Sequence, residues 1–259
     1  LGAPKLFGMD AFVSNTVLHG QTQLHVVGLI LILFLSILAV SLPRRLALIP
    51  LLVAATSMPM GQRLVLLGAD FTITRILLFA YLVRIIMRRE WSTFRWNRLD
   101  STIMFWAICG IFVMTIHHGS LSVLVNRIGW GYELLVAYFT RRILLVGWDD
   151  LKPLAKASAI ISIPMAGVFL FEWQTQYNLF HVFGGVPEYT WVREGRIRCQ
   201  GPFAHPIIAG QFWACMLPLI WMLWTSDEED RGLAWLGSIG ALVVILTTSS
   251  STPLLSVLA

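Results

Sequence analysis

The sequence predicts an all-α fold, a polytopic transmembrane helical bundle with about eight to nine spans. The chain has 259 residues, of which 57% are hydrophobic and only 13% are charged, about half the charge of an ordinary soluble domain. Its apolar runs are continuous rather than alternating, which disfavours a β-barrel. Several of them approach the ~20 residues that a helix needs to cross ~30 Å of hydrocarbon.

The apolar runs define the predicted spans in order. The first run, residues 24–42, is too long for a signal-peptide core and precedes its arginines, so we predict an uncleaved span. Later runs predict spans at residues 46–60, 71–87, 102–116, 128–146, 158–173, 207–225 and 233–248. Residues 1–23 are mixed and polar, which predicts an outer-face N-terminal segment. The last run stops at Ala259 without a flanking anchor, so we expect a single transmembrane domain, residues 1–259, that is truncated at its C-terminus.

The positive charges predict the orientation. Most of the 19 lysines and arginines lie on alternate connections, which the positive-inside rule assigns to the cytoplasm. We therefore attribute the net charge of +5 to the orientation of the chain in the membrane, and we predict no nucleic-acid partner. An Arg-rich loop, residues 174–205, falls on the outer face against this trend, which indicates a role for its charges.

This outer loop leads into the seventh predicted span. Arg193, Arg196 and Arg198 precede a corner that contains Pro202 and Pro206, where regular helix is excluded. Guanidinium groups remain charged and bind phosphate oxygens bidentately, and the helix N-terminus after the corner offers free amides. We therefore predict an anion site at the bilayer surface with these arginines as ligands. We expect only some of the three to face one ligand.

The same residues have simpler interpretations. The loop arginines could instead bind anionic membrane lipids or pair with Glu188 and Glu194. His205 is a candidate hydrogen-bond donor to phosphate or a proton carrier, and equally a candidate helix cap. The sequence leaves both pairs of interpretations open.

Arg75 lies within the third predicted span, where a charged side chain is costly and requires a partner, the bundle interior or a wet cavity. Asp70 is one candidate partner, because it lies just ahead of the span. The alternative is that Arg75 faces the same outer cavity as the loop arginines. Arg127, Glu133 and Glu172 lie near the ends of other spans with the same ambiguity.

The sequence predicts no cofactor and no metal. Of the three cysteines, two lie inside apolar runs and one in the Arg-rich loop, a scatter that fits neither a disulfide framework nor a metal cluster. Phosphate-cradling glycine loops, dinucleotide fingerprints and nucleophile elbows do not occur.

One pattern is shared with a known family. Residues Arg198 to Pro206 read R-x-x-G-P-F-x-H-P, the next span contains Pro218, and TTSSSTP follows from Thr247 to Pro253. Together with residues 66–84, these segments resemble the O-antigen ligase and polymerase family of bacterial envelope polysaccharide enzymes. The resemblance implies a metal-independent glycosyltransferase that uses a polyprenyl-diphosphate-linked glycan at the outer face of the bacterial inner membrane. The positive-inside rule separately predicts that the N-terminus is on the periplasmic side.

The resemblance also implies roles for individual residues. Arg198 would bind the diphosphate leaving group, and Arg75 is a weaker candidate for the same task. We predict supporting contacts from Arg196 and Arg193, and a catalytic position for His205 that also shapes the pocket.

The chain departs from that family in one respect. Family members carry a large late outer loop with a further histidine and arginine, and residues 1–259 contain no such loop. The enzyme prediction therefore requires a longer chain. The alternative is a non-catalytic integral membrane subunit that packs against other membrane-protein subunits, with its loop arginines on lipid headgroups. A transporter ranks third, because central acidic residues and broken helices are scarce.

Overall fold

The structure is a computed structural model that describes residues 22–66 and 69–258. The described part contains nine α-helices: α1 (Val26–Ser41), α2 (Ile49–Ser57), α3 (Ile73–Met87), α4 (Arg98–His118), α5 (Leu121–Leu144), α6 (Trp148–Thr175), α7 (Pro206–Ser226), α8 (Arg231–Thr247) and α9 (Ser251–Leu258). It also contains two antiparallel hairpins, β1 (Arg63–Leu66) with β2 (Ala69–Thr72) and β3 (Trp191–Arg193) with β4 (Arg196–Arg198). Most of the predicted N-terminal segment, residues 1–23, lies outside the described residues.

The predominantly α-helical fold is confirmed. The length and apolar composition of its helices indicate a membrane protein. In the described part, four helical segments are long and apolar enough to cross a membrane, namely α4, α6, α7 and the segment Glu228–Thr247 that contains α8. The prediction of eight to nine spans is not supported. With 1.5 Å of rise per residue, the nine residues of α2 cover about half of the hydrocarbon thickness. Charged residues interrupt α5.

Two helix groups form the core. In the first, α1 packs on α3 through Ile32, Leu35, Leu77 and Tyr81, all of them buried. In the second, α6, α7 and α8 enclose a core that contains Phe169, Trp213, Ile220, Ala241 and Val244.

Small residues bring α6 and α8 close together. A Cβ added at Gly237 would lie 2.5 Å from the Cβ of Ala159, and one added at Gly240 would lie 2.8 Å from the carbonyl oxygen of Ser162. Ser162 Oγ also donates to the carbonyl of Gly237 at 2.8 Å. Close backbone approach of this kind is typical of helices that associate within a bilayer.

Arginines gather at one end of the bundle, where α1, α3 and α5 finish, and we call it the Arg-rich end. Arg44 donates to the carbonyls of Ile143 and Leu144, at 2.7 and 3.2 Å. Arg84 donates to the carbonyls of Ala39 and Leu42, at 2.8 and 2.7 Å. These guanidinium groups satisfy the last carbonyls of α5 and α1 and complement their dipoles.

The Arg-rich loop lies at the opposite end, which we call the hairpin end. His25, just before α1, packs its ring against Phe183 with centroids 5.8 Å apart. The turn after α2 also reaches the loop, because Met60 N donates to the carbonyl of Pro202 at 3.0 Å. Since α1 begins here and finishes at the Arg-rich end, the two arginine groups lie at opposite ends of the bundle.

Candidate anion-binding site

Glu172 anchors the loop at the end of α6. Its side chain is fully buried and accepts three hydrogen bonds, from Thr190 Oγ1 at 3.0 Å, Gln200 N at 3.0 Å and Gly201 N at 2.9 Å. A buried carboxylate is tolerated only with such partners. One side chain therefore holds both the segment before β3 and the corner after β4. The position of Glu172 near the end of an apolar run left open whether it pairs within the bundle or faces the outer cavity, and the structure shows it paired with the loop backbone.

The hairpin β3–β4 places all three loop arginines on one face. Arg193 pairs with Arg196 and Trp191 pairs with Arg198 across the strands. Directly opposed residues share a face, and so do residues two apart along a strand. The strand register therefore brings the three arginines to one side of the hairpin, and the expectation that only some of them face one ligand stays a prediction. The face also contains Trp191.

The tight turn of this hairpin explains its register. Glu194 and Gly195 have φ angles of +54° and +73°, the left-handed pair that two-residue hairpin loops require. Arg193 and Arg196 then face each other directly, an arrangement in which like charges destabilise a sheet. Glu194 does pair with Arg193 at 3.5 Å, but both side chains are more than 70% exposed, so this ion pair contributes little.

Hydrogen bonds dock the hairpin on the corner between α8 and α9. Cys199 N donates to the carbonyl of Thr247 at 3.1 Å. Arg198 Nη2 donates to Ser250 Oγ at 2.8 Å, and Ser250 Oγ donates in turn to the carbonyl of Thr248 at 3.1 Å. Ser250 is 3% exposed. The serine- and threonine-rich segment after α8 is thus the support on which Arg198 rests.

Arg198 is incompletely satisfied. Its Nε is buried and finds no hydrogen-bond partner among the described residues. Burial lowers the pKa of Arg198, the charge of Arg193 lowers it further, and Glu194 opposes that effect. An arginine nonetheless stays protonated at neutral pH. A bound anion would therefore relieve the repulsion between the two arginines.

His205 caps the helix that follows. Its Nδ1 accepts from the backbone N–H of Ile207 at 3.2 Å, and Pro206 is the first residue of α7. Burial lowers the pKa of His205, and the charge of Arg198 lowers it further. The imidazole is therefore neutral at pH 7, and since Nδ1 is an acceptor, Nε2 carries the proton. The ring packs against Trp191 with centroids 6.1 Å apart. The capping role is thus observed, and the catalytic role stays a prediction.

Arg75 belongs to a different helix pair. Its Nε lies 3.0 Å from Glu133 Oε1, which joins α3 to α5. Thr72 Oγ1 donates to the same oxygen at 2.6 Å. Glu133 is therefore the observed partner, and the side chain of Asp70 lies outside the described residues. Of the alternatives for the loop acids, Glu194 pairs with Arg193, whereas Glu188 lies 3.9 Å from His181 Nε2.

Comparison of the chain with models of known protein families, with curated proteins and with solved structures finds no match. The resemblance to the O-antigen ligase family consequently rests on the motif residues given above.

Proposed function

We propose that the hairpin end binds the diphosphate of a polyprenyl-linked glycan, and that the chain is an O-antigen ligase/polymerase-like glycosyltransferase. The observation that carries this proposal is the shared face of Arg193, Arg196 and Arg198, with Arg198 held by Ser250. Three cations that repel one another on a two-stranded hairpin are unfavourable without an anion between them.

The chemistry of glycosyl transfer fits this face. When a sugar leaves a diphosphate, negative charge develops on the phosphate oxygens, and fixed guanidinium groups stabilise it without a metal ion. Arg198 is the central contact because Ser250 holds its guanidinium group in place, close enough to Arg193 for the two charges to repel each other. His205, with its proton on Nε2, acts as a hydrogen-bond donor to the same group. Activation of the acceptor hydroxyl requires a general base elsewhere.

The position of the hairpin also suits a lipid-linked substrate. Only residues 199–205 separate the hairpin from α7, one of the helices that are long enough to cross a membrane. A diphosphate at the headgroup level of the bilayer would meet the arginine face there. Under the positive-inside rule the Arg-rich end is cytoplasmic. We therefore place the hairpin end at the periplasmic face of the bacterial inner membrane, in polysaccharide biosynthesis.

A second candidate function is that of a non-catalytic subunit in a larger membrane complex. The observation that favours it is α4, in which only 11% of the residues in the most apolar stretch are buried. Large side chains such as Phe105, Trp106 and Phe112 are exposed on this helix. Copurification with another membrane protein at fixed stoichiometry, without loss of any glycan on deletion, would favour the subunit over the enzyme.

Binding of farnesyl diphosphate to the purified full chain in detergent micelles tests the proposed site directly. Arg198→Ala removes a charge-assisted contact, so we expect affinity to fall about ten- to hundred-fold. Farnesol should bind weakly to both proteins, because it lacks the diphosphate. Arg45→Ala, an exposed arginine at the Arg-rich end, is the matched control and should bind like the unaltered chain.

Two results would count against the proposal. Equal diphosphate affinity in Arg198→Ala and the unaltered chain would exclude Arg198 as the ligand. Binding of farnesol as tight as that of the diphosphate would show that the hydrocarbon, not the anion, is recognised. Glycan transfer in cells that carry Arg198→Ala is the functional counterpart, and we expect it to be lost while the protein remains inserted.

A further inference from the structure

The linker between α3 and α4, residues 88–97, is an ordered element at the Arg-rich end. Trp96 stacks on Phe139 of α5 with centroids 5.6 Å apart, and Phe94 packs edge-on against the same ring at 5.8 Å. Arg142 lies over the Phe94 ring and donates to the carbonyl of Arg95 at 3.3 Å. These contacts fix the backbone of the linker, so its remaining side chains project from a defined surface.

The arginines around this linker fall into two groups. Arg84 binds Glu90 through two hydrogen bonds, at 2.8 and 3.0 Å, and Arg142 binds Asp100 at 3.1 and 3.2 Å. Arg88 also binds within the fold, because it donates to the carbonyls of Leu42 and Ser41, at 3.1 and 2.8 Å. A second group is exposed and, across residues 22–66 and 69–258, makes neither an acidic nor a carbonyl contact through its side chains: Arg89, Arg95 and Arg98. The first group stabilises the fold, and the second leaves uncompensated positive charge on the surface.

Two of the three exposed arginines occupy locally unfavourable positions. Arg89 has a φ of +51°, a region that costs energy for residues with a Cβ. Arg98 is the first residue of α4, where the positive end of the helix dipole disfavours a cation. Trp91 and Trp96, both more than half exposed, flank these arginines as aromatic residues do at a membrane interface.

We propose that Arg89, Arg95 and Arg98 bind the headgroup phosphate of an anionic phospholipid, with Trp91 and Trp96 at the same depth in the bilayer. Guanidinium groups supply bidentate contacts to phosphate. A zwitterionic headgroup would also need a carboxylate for its ammonium. The two acids beside the linker, Glu90 and Asp100, are engaged by Arg84 and Arg142. The patch therefore favours a headgroup with net negative charge over phosphatidylethanolamine.

Native mass spectrometry of the full chain, released from micelles that contain equal amounts of phosphatidylglycerol and phosphatidylethanolamine, tests this patch. We expect the unaltered chain to retain phosphatidylglycerol preferentially, and high salt in the micelle solution to weaken that preference. Each arginine near an anionic surface contributes about five-fold in affinity. The pair Arg95→Gln/Arg98→Gln should therefore retain phosphatidylglycerol about twenty-five-fold less tightly.

A matched control removes two charges from the same end of the bundle. Arg45 and Arg231 are exposed and pair with Asp149 and Glu228, so Arg45→Gln/Arg231→Gln should change lipid retention less than two-fold. An equal loss of phosphatidylglycerol affinity in the two double variants would overturn the proposed lipid site, because the loss would then follow from the lower net charge. Equal retention of phosphatidylglycerol and phosphatidylethanolamine by the unaltered chain would also overturn the proposed lipid site. Arg98→Gln alone should unfold at a slightly higher temperature, because it removes a cation from a helix N-terminus.

Discussion

Replacing Ser250 by alanine removes an oxygen atom that links Arg198 to the corner between α8 and α9. Ser250 Oγ accepts from Arg198 Nη2 at 2.8 Å and donates to the carbonyl of Thr248 at 3.1 Å. The hydroxyl is buried, whereas Arg198 is half-buried. After the substitution, Arg198 would have both Nε and Nη2 without protein partners, and its guanidinium group would no longer be held at one position.

The expected magnitude follows from the charge on the donor. A hydrogen bond to a charged group contributes about 1.5–3 kcal/mol, and the partial exposure of Arg198 favours the lower end of that range. If this energy fixes Arg198 in its binding position, Ser250→Ala should weaken farnesyl diphosphate binding about ten-fold. Ser249→Ala, one residue away, is the matched control and should leave the affinity unchanged.

A double-mutant cycle separates positioning from general damage. In the Arg198→Ala background there is no guanidinium group to position, so adding Ser250→Ala should change diphosphate affinity by less than about 0.5 kcal/mol. Isothermal titration of the four proteins in the same detergent measures both arms of the cycle. Full additivity of the two substitutions would refute the reasoning, because it would mean that Ser250 acts on binding independently of Arg198.

Three further predictions concern the fold around this site. Glu172→Ala leaves three buried donors without an acceptor and should lower the free energy of unfolding by at least about 3 kcal/mol. Unchanged stability in denaturant, or unchanged hydrogen exchange in the hairpin, would contradict the anchoring role of Glu172. Gly237→Ala places a Cβ 2.5 Å from that of Ala159 and should destabilise the α6–α8 contact by about 1–3 kcal/mol, whereas Gly167→Ala, which meets nothing within 4 Å, should not destabilise it. Because burial lowers the pKa of His205, the unfolded chain binds more protons, so stability should fall as the pH drops below the ordinary histidine value of about 6.5. His205→Asn keeps a capping side chain and should flatten the thermal-denaturation profile between about pH 5.5 and 7; an unchanged slope would assign the pH dependence to other groups.

The membrane class and the helical fold could be predicted from the sequence, because both depend on local properties. The length of an apolar run and the scarcity of charge decide whether a segment suits hydrocarbon, and neither requires knowledge of distant residues. The corner before α7 was also predictable, since proline is favoured in the first helical turn, where its missing N–H does no harm. His205 was identified as a candidate because it lies at that corner, although the sequence could not distinguish a helix-capping role from a catalytic role.

The number of spans could not be read from hydropathy, because helix ends depend on tertiary contacts. The prediction of a second span at residues 46–60 merged α2 with a turn whose Met60 N–H is bonded to Pro202. Likewise, one partner of Arg75 is Glu133, which is 58 residues away. An ion pair between two helices leaves no signal in the spacing of either residue.

What the sequence alone determined was which residues carry the charge of the candidate site: Arg193, Arg196 and Arg198, beside a proline corner. The arrangement of those charges became clear from the folded chain, because strand register sets the shared face of the hairpin. The supports of that face come from far along the chain, as Ser250 lies 52 residues from Arg198 and Glu172 lies 28 residues from Gln200. Hydrogen bonds between distant segments depend on how helices pack, and local sequence patterns do not encode that packing.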